Sequence, residues 1–362
     1  MAKVGIVTQP LWGNYGGLLQ NYALQTILRR LGHEPVTIDY VWHPKWYRYP
    51  LSLLKTIVFF PFPLRRRKFP KWHPIRTNVW IDSFVNEYIS KTDYFYHYKP
   101  ALVNKLGLDA VITGSDQVWR PMYNPDLKNL YLDFVKDERI PKIAYAASFG
   151  TSEREYTRKD IKACFKAAKK LEAVSVREAS GIQLCRDYFG IEAVAVLDPT
   201  LLLTADDYRE LAADRLQSRV SYLGVYILDR KPKNDSLIQE ISRLTGLTNI
   251  RQITENDKDF APQDWIAIMR DAGFIVTDSF HATVFSIIFK KPFVTLCNRA
   301  RGADRFVSLL KPLGLMERLV EHDCTDIGTL AFRGIDWDYV SDSLDKNRTF
   351  SIDFLKQNLP KL

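Results

Sequence analysis

Along this chain, short runs of aliphatic and β-branched residues are each followed by a polar turn and then by an amphipathic stretch. Residues 4–8 form the first run, and a loop rich in Gly and Asn follows it (Gly13, Asn14, Tyr15, Gly16, Gly17). Leu19, Tyr22, Ala23, Ile27 and Leu31 then recur at helical spacing, Gly32 stops the helix, and residues 36–40 make the next run. A strand–helix–strand unit of this kind implies parallel pairing and a right-handed crossover. Runs at 110–113, 143–147, 173–176 and 194–197 continue the series. A second series follows, with strands expected at 222–228, 249–254, 274–277 and 293–296 and helices at 235–244, 262–271 and 281–289. The pattern predicts an α/β protein of two doubly wound, Rossmann-like domains facing a cleft, residues 1–204 and 205–362, joined around 198–207. A last helix-like segment, 351–362, is a candidate to cross back to the first domain.

In an open parallel sheet the ligand lies beyond the carboxyl ends of the strands, so the polar residues just after each run carry the candidate chemistry. In Asn14-Tyr15-Gly16-Gly17 the glycines let backbone approach a ligand and present helix-end N–H groups. No GK[ST] follows, so this is not a P-loop, and a tight turn with an Asn cap reads equally well. Ser115, Asp116 and Trp119 follow the third run. Asp116 there suits a base or sugar-binding carboxylate, or else a helix cap. Arg177 follows a buried run and suits bidentate binding of a carboxylate or phosphate, or a salt bridge with Glu178 or another acid. Asp278 or Ser279 is placed to cap a helix, which puts His281 in its first turn at the cleft. Lys290, Lys291, Arg299, Arg301 and Arg305 form a cationic group that serves either as solvated surface or as an anion pocket.

Charge adds one feature. The 362 residues carry a net charge of +9, and 46% are hydrophobic, which is ordinary globular composition. Between 40 and 81 stand nine basic residues and no acidic one, while the remainder balances. A nucleic-acid enzyme would spread its charge over a face, so nucleic acid is not the expected partner. The same insert is rich in aromatics. Cations near anionic lipid and Trp at headgroup level favour membrane contact, which points to Trp46, Arg65, Arg66, Arg67, Lys68 and Trp72. The plain alternative is an excursion that packs on the first domain. Four cysteines without a CxxC argue against a disulfide framework or a zinc site. The greasy stretch 51–64 is interrupted by Lys55, Pro61 and Pro63 and falls short of the roughly 20 residues a spanning helix needs. The expectation is a cytoplasmic protein, peripheral at the inner face of the plasma membrane, with no metal.

Taken in order, NYGGLLQNYALQ (14–25), DAVITGSDQVW (109–119), AYAASFG (144–150), VSVREASG (174–181), VLDPTLLL (196–203) and TDSFHATVFSIIF (277–289) resemble the polysaccharide pyruvyl transferase family. The resemblance implies the GT-B glycosyltransferase architecture with an active site between the domains. It implies phosphoenolpyruvate as co-substrate, a sugar acceptor in a lipid-linked surface-polysaccharide precursor, and a cyclic pyruvate ketal as product, with no further cofactor. On matching positions, His281 takes the place of the family's catalytic histidine and Arg177 that of its donor-binding arginine, with Asp116 a candidate base. Many members carry Arg two residues before that histidine. Here the position is Ser279, which leaves Arg301, Arg305 or Lys290 to supply the cation. Asn14, Tyr15, Gly16, Gly17, Ser115 and Trp119 are the expected acceptor contacts. Competing readings are a nucleotide-sugar glycosyltransferase, for which no acidic ribose-binding motif is found late in the second domain, and a non-catalytic glycan-assembly protein, which would be expected to lack His281 or Arg177.

Overall fold

The computed structural model describes residues 1–12, 14–40, 78–95, 97–124, 126–215, 217–253, 260–297, 302–321 and 333–361. The proposed membrane contacts Trp46, Arg65, Arg66, Arg67, Lys68 and Trp72, and the cation Arg301, lie outside them. Two parallel sheets organise the chain. The first is built from β1 (Lys3–Val7), β2 (Glu34–Thr37), β3 (Ala110–Thr113), β4 (Lys142–Ala147), β5 (Ala173–Val176) and β6 (Val194–Ala195), in the order β2-β1-β3-β4-β5-β6. The second holds β7 (Leu223–Tyr226), β8 (Ile250–Ile253), β9 (Phe274–Thr277), β10 (Phe293–Leu296) and β11 (Leu319–Val320), in the order β11-β10-β9-β7-β8. Every named pairing is parallel. Helices cover both faces of such a sheet, so its inner strands are aliphatic throughout. Accordingly β3, β4 and β5 are buried at every position.

The helices of the first half are α1 (Tyr15–Arg30), α2 (Val79–Tyr88), α3 (Ala101–Leu106), α4 (Arg158–Ala168) and α5 (Ala179–Phe189). Then come α6 (Ala205–Leu211), α7 (Pro232–Thr245), α8 (Pro262–Asp271), α9 (Phe280–Ile288), α10 (Asp304–Leu310) and α11 (Trp337–Asn358). Sequence periodicity located α8 and α9 to within a residue. It gave no bounds for α2 to α6, for α10 or for β11, placed β2 two residues late, and caught only the last turns of α11, which begins at Trp337. None of the described helices is long and apolar enough to cross a membrane.

Three seams join the halves. The Tyr15 hydroxyl donates to the Phe260 carbonyl at 3.0 Å, and its ring stacks on Trp265 of α8. Helix α11 lies against the first half: the Leu197 amide donates to Ser351 Oγ at 3.0 Å, Arg348 Nε donates to the Leu201 carbonyl at 2.9 Å, and Phe354 meets the Tyr145 ring. On another side Gly302, at φ +95°, lies so close to the Gly150 carbonyl that no side chain fits there. The Ser152 amide donates to Asp304 beside it, at 2.7 Å.

Strand order positions the site. In the first sheet the chain leaves β1 toward β2 on one side and resumes at β3 on the other. The second sheet reverses in the same way between β7 and β9. Loops leaving the two strands at such a reversal splay apart and open a crevice. Asn14–Gly17 and Asp116 follow β1 and β3, and His281 follows β9.

Candidate active site between the sheets

Each half brings one helix N-terminus to the crevice. Asn14 caps α1, its side chain accepting from the Gly17 amide at 3.3 Å. Buried Gln20 ties that helix to the end of β1 through Thr8 Oγ1, at 3.0 Å. Ser279 caps α9, accepting from the Ala282 amide. Asp278 spans the reversal of the second sheet, accepting from the amides of Leu228 and Asp229 at 2.6 and 3.0 Å. The two helix ends meet at one point. A methyl group added at Gly16 would overlap the His281 imidazole, so a glycine is required for the histidine to sit where it does.

His281 is buried, and its Nε2 lies 3.7 Å from Asp198 Oδ2, beyond hydrogen-bond reach. Asp198 is the hub of a polar web. It accepts from Ser115 Oγ at 2.9 Å, from Thr200 Oγ1 at 2.7 Å and from Arg177 Nη1 at 2.9 Å. Burial alone would push its carboxyl up, but His281, Arg177 and the Thr200 hydroxyl more than offset this and hold it well below the usual carboxylate range. A depressed carboxyl stabilises the fold above its unfolded pKa and loses that contribution only as pH falls toward the folded value. Asp198 therefore stays ionised through the neutral range.

Arg177 belongs to this web. Its Nε donates to Glu178 at 3.1 Å and its Nη2 to Ser148 Oγ at 3.2 Å, and Asp116 stands 3.8 Å away. All three guanidinium nitrogens thus have a protein acceptor. Arg177 therefore serves as a structural partner of Glu178 and Asp198, and it also lines a cavity of about 150 Å³ together with Arg305 and Phe280. We expect Arg177→Ala to strand Asp198 and Glu178 as unpaired buried charges and to cost about 3–5 kcal/mol in urea unfolding. A loss below about 1 kcal/mol would instead mean that the guanidinium was available to a ligand.

The cation that reaches the crevice is Arg305 on α10. It is 7% exposed, and among the described residues it has neither a hydrogen bond nor an ion pair, with Nε left without an acceptor. Burial pushes its guanidinium down to about 10, and the nearby charge of Arg177 adds to the effect. Both arginines approach the Phe280 ring, Arg177 at 4.4 Å and Arg305 at 5.8 Å from its centre. Arg305, His281, Ser279, Gly16, Asn14 and Asp116 line one small cavity of about 50 Å³. A larger one of about 360 Å³ adjoins it, sharing Asn14, Asp116 and Gln117 and adding Gln9, Trp12 and Tyr123.

The remaining expected residues fall elsewhere. Trp119 is fully buried, stacked on Tyr131 at 4.6 Å and donating to the Leu130 carbonyl, so it is core and not an acceptor contact. Ser115 is spent on Asp198, and Tyr15 on the seam between the halves. Lys290 is exposed at the far end of α9 from His281, so it is not a donor contact. Asp116 lines both cavities at a left-handed φ of 74°, a conformation Asp tolerates better than most residues. Sequence reasoning missed Trp12, Tyr123 and the hub role of Asp198. Trp12 stands two residues before the Asn cap, directly preceding the loop already singled out. Among the described residues no cluster of His, Cys, Asp and Glu suits a metal.

Two parallel-sheet domains with their reversals face to face across a cleft form the GT-B architecture. The S. aureus MnaA–UDP co-structure is similar in fold, with a TM-score of 0.55 and 11% identity over 98% of this chain and 94% of that one. UDP-GlcNAc 2-epimerase from Neisseria meningitidis bound to UDP-GlcNAc aligns at 0.49 and 10% identity, over 98% of this chain and all of that one. No curated protein matches by sequence. The family model for polysaccharide pyruvyl transferase matches residues 14–298, most of the chain, and the protein belongs to that family.

Proposed function

We propose that this chain transfers the enolpyruvyl carbon skeleton of phosphoenolpyruvate to two hydroxyls of one sugar in a polysaccharide precursor, forming a cyclic ketal. The observation that carries the reading is Arg305, a buried cation without a carboxylate partner among the described residues, on the same cavity wall as His281. Such a charge is costly unless an anion meets it. Two helix N-termini beside it add partial positive charge, and the donor brings a carboxylate and a phosphate.

His281, protonated, delivers its proton to the donor's methylene carbon, which becomes a methyl group and leaves an oxocarbenium-like centre. One sugar hydroxyl adds there, and Asp116 takes its proton. The second hydroxyl displaces phosphate, breaking the carbon–oxygen bond, and its proton leaves with the phosphate. After one turnover Asp116 holds a proton and His281 lacks one, and exchange with solvent restores both. In sum one hydroxyl proton is replaced by the one added to the methyl group and the other leaves with phosphate, so the exchange balances. The scheme calls on no metal or further cofactor. A lipid-linked acceptor at an anionic membrane face belongs to the same proposal, and residues 40–81 are its candidate anchor.

The direct test is incubation with phosphoenolpyruvate and a lipid-linked sugar extract, following phosphate release and the mass of the glycan. Consumption of a nucleotide sugar without phosphoenolpyruvate would favour the glycosyltransferase reading instead. Gly16→Ala should lower turnover about 100-fold by shifting the imidazole, since misplacing a catalytic group by about 1 Å has that order of effect. Unchanged turnover in a folded Gly16→Ala protein would remove His281 from the reaction.

A further inference from the structure

We propose that Trp12 and Tyr123 form a subsite for a second sugar unit, so that the acceptor is an oligosaccharide bound across two sites. This rests on the reading of the small cavity as the place of reaction. That cavity, about 50 Å³, takes the reacting centre between His281, Arg305 and Asp116. The larger one, about 360 Å³, begins at Asp116 and runs away from His281 and Arg305, neither of which lines it. An acceptor whose hydroxyls reach Asp116 has its remaining bulk there.

The wall of the larger cavity is suited to carbohydrate. A pyranose ring presents a C–H face and hydroxyl edges, and the wall offers aromatic faces beside the amides of Gln9 and Gln117 and the Asp116 carboxylate. Tyr123 is 44% exposed although it sits beside a buried core. Its ring is held by the Arg120 guanidinium at 5.3 Å, and Arg120 is itself fixed by Glu155 and by Gln117 Oε1. A platform held this firmly loses little freedom when it binds. An exposed aromatic kept rigid at the mouth of a site matches the aromatic lining of ligand clefts.

Saturation-transfer NMR, with and without phosphoenolpyruvate, tests the subsite. The probes are methyl glycosides of glucose, galactose, mannose and N-acetylglucosamine and a β-linked disaccharide of each. We expect at least one disaccharide to bind tenfold or more tightly than its methyl glycoside. That gain should vanish in Trp12→Ala and in Tyr123→Ala and persist in Trp12→Phe, with donor binding unchanged in all three. No gain for any disaccharide in the wild type, or a gain that survives both alanine changes, overturns the subsite. So does a variant that loses donor binding along with the gain, since its aromatic then supports the fold. A wild type that shows the disaccharide gain but binds no phosphoenolpyruvate keeps the subsite and rejects the donor assignment.

Discussion

His281→Gln should reduce turnover by about 100- to 10,000-fold, the usual contribution of a general acid, while donor affinity changes only a few-fold. Gln fills similar volume and keeps an N–H donor, so packing against Gly16 and the 3.7 Å approach to Asp198 are largely preserved. What it lacks is a proton to give. The reading predicts a second signature: in deuterated water the wild type places one solvent deuteron in the new methyl group. Rapid-quench measurement of phosphate release separates the chemical step from product release. A folded variant that kept more than a tenth of wild-type turnover would show that another group supplies the proton.

Arg305→Met should weaken phosphoenolpyruvate binding by about 2–5 kcal/mol, the range for truncating one partner of a buried charge pair. That is about 30- to 4,000-fold. Unlike Arg177→Ala, the change should leave the free protein as stable as the wild type or more so, because it removes a buried charge that has no hydrogen bond or close ion pair among the described residues, with Glu178 and Asp116 acting on it only from beyond contact. The pH dependence has a defined sign. Burial and Arg177 lower the folded guanidinium to about 10, below its value in the unfolded chain, so between those values the unfolded state holds more protons. The stability penalty from this group is therefore full below about pH 10 and fades as pH rises through that window. Bound phosphoenolpyruvate should reverse the penalty, raising the melting temperature of the wild type and not that of the variant. Calorimetry and thermal melts with and without the donor measure both effects. Equal donor affinity in Arg305→Met would place the anion elsewhere.

Much of the architecture was legible in the sequence because parallel strands buried on both faces leave unbroken aliphatic runs, and the polar turn after each run marks the side where ligands bind. This located His281, Asp116 and the glycine turn. Side-chain partners from distant segments were not legible. An Arg after a buried strand suits either an incoming anion or the carboxylate of the next strand end, and the partner Arg177 has in the fold, Asp198, stands 21 residues on. Trp119 and Trp12 present the same problem. Both follow strands of the first sheet, and only the position of Tyr131 shows which ring is enclosed. Lys290 and Arg305 both belong to one cationic stretch, and helix geometry alone sends the first to solvent and the second to the crevice. Burial seals three of the four cysteines, Cys164, Cys185 and Cys297, and pushes the first two thiols up to about 12. They are chemically quiet.

The return of α11 to the first half gives the protein an order of assembly. The Leu197 amide, next to the hub carboxylate Asp198, finds its acceptor in Ser351, 154 residues later. At about 5–20 residues per second on the ribosome, that acceptor arrives about 8–30 s after Leu197 is made. Until then the first sheet is complete in strands, but its edge near Leu197, Leu201 and Tyr145 stays open, with no helix over it. A nascent chain therefore carries Ser115, Arg177 and Asp198 beside an uncovered edge through nearly half of its own synthesis, and His281 and Arg305 are added only within that interval. The web around Asp198 becomes enclosed only when the second domain has already been built beside it.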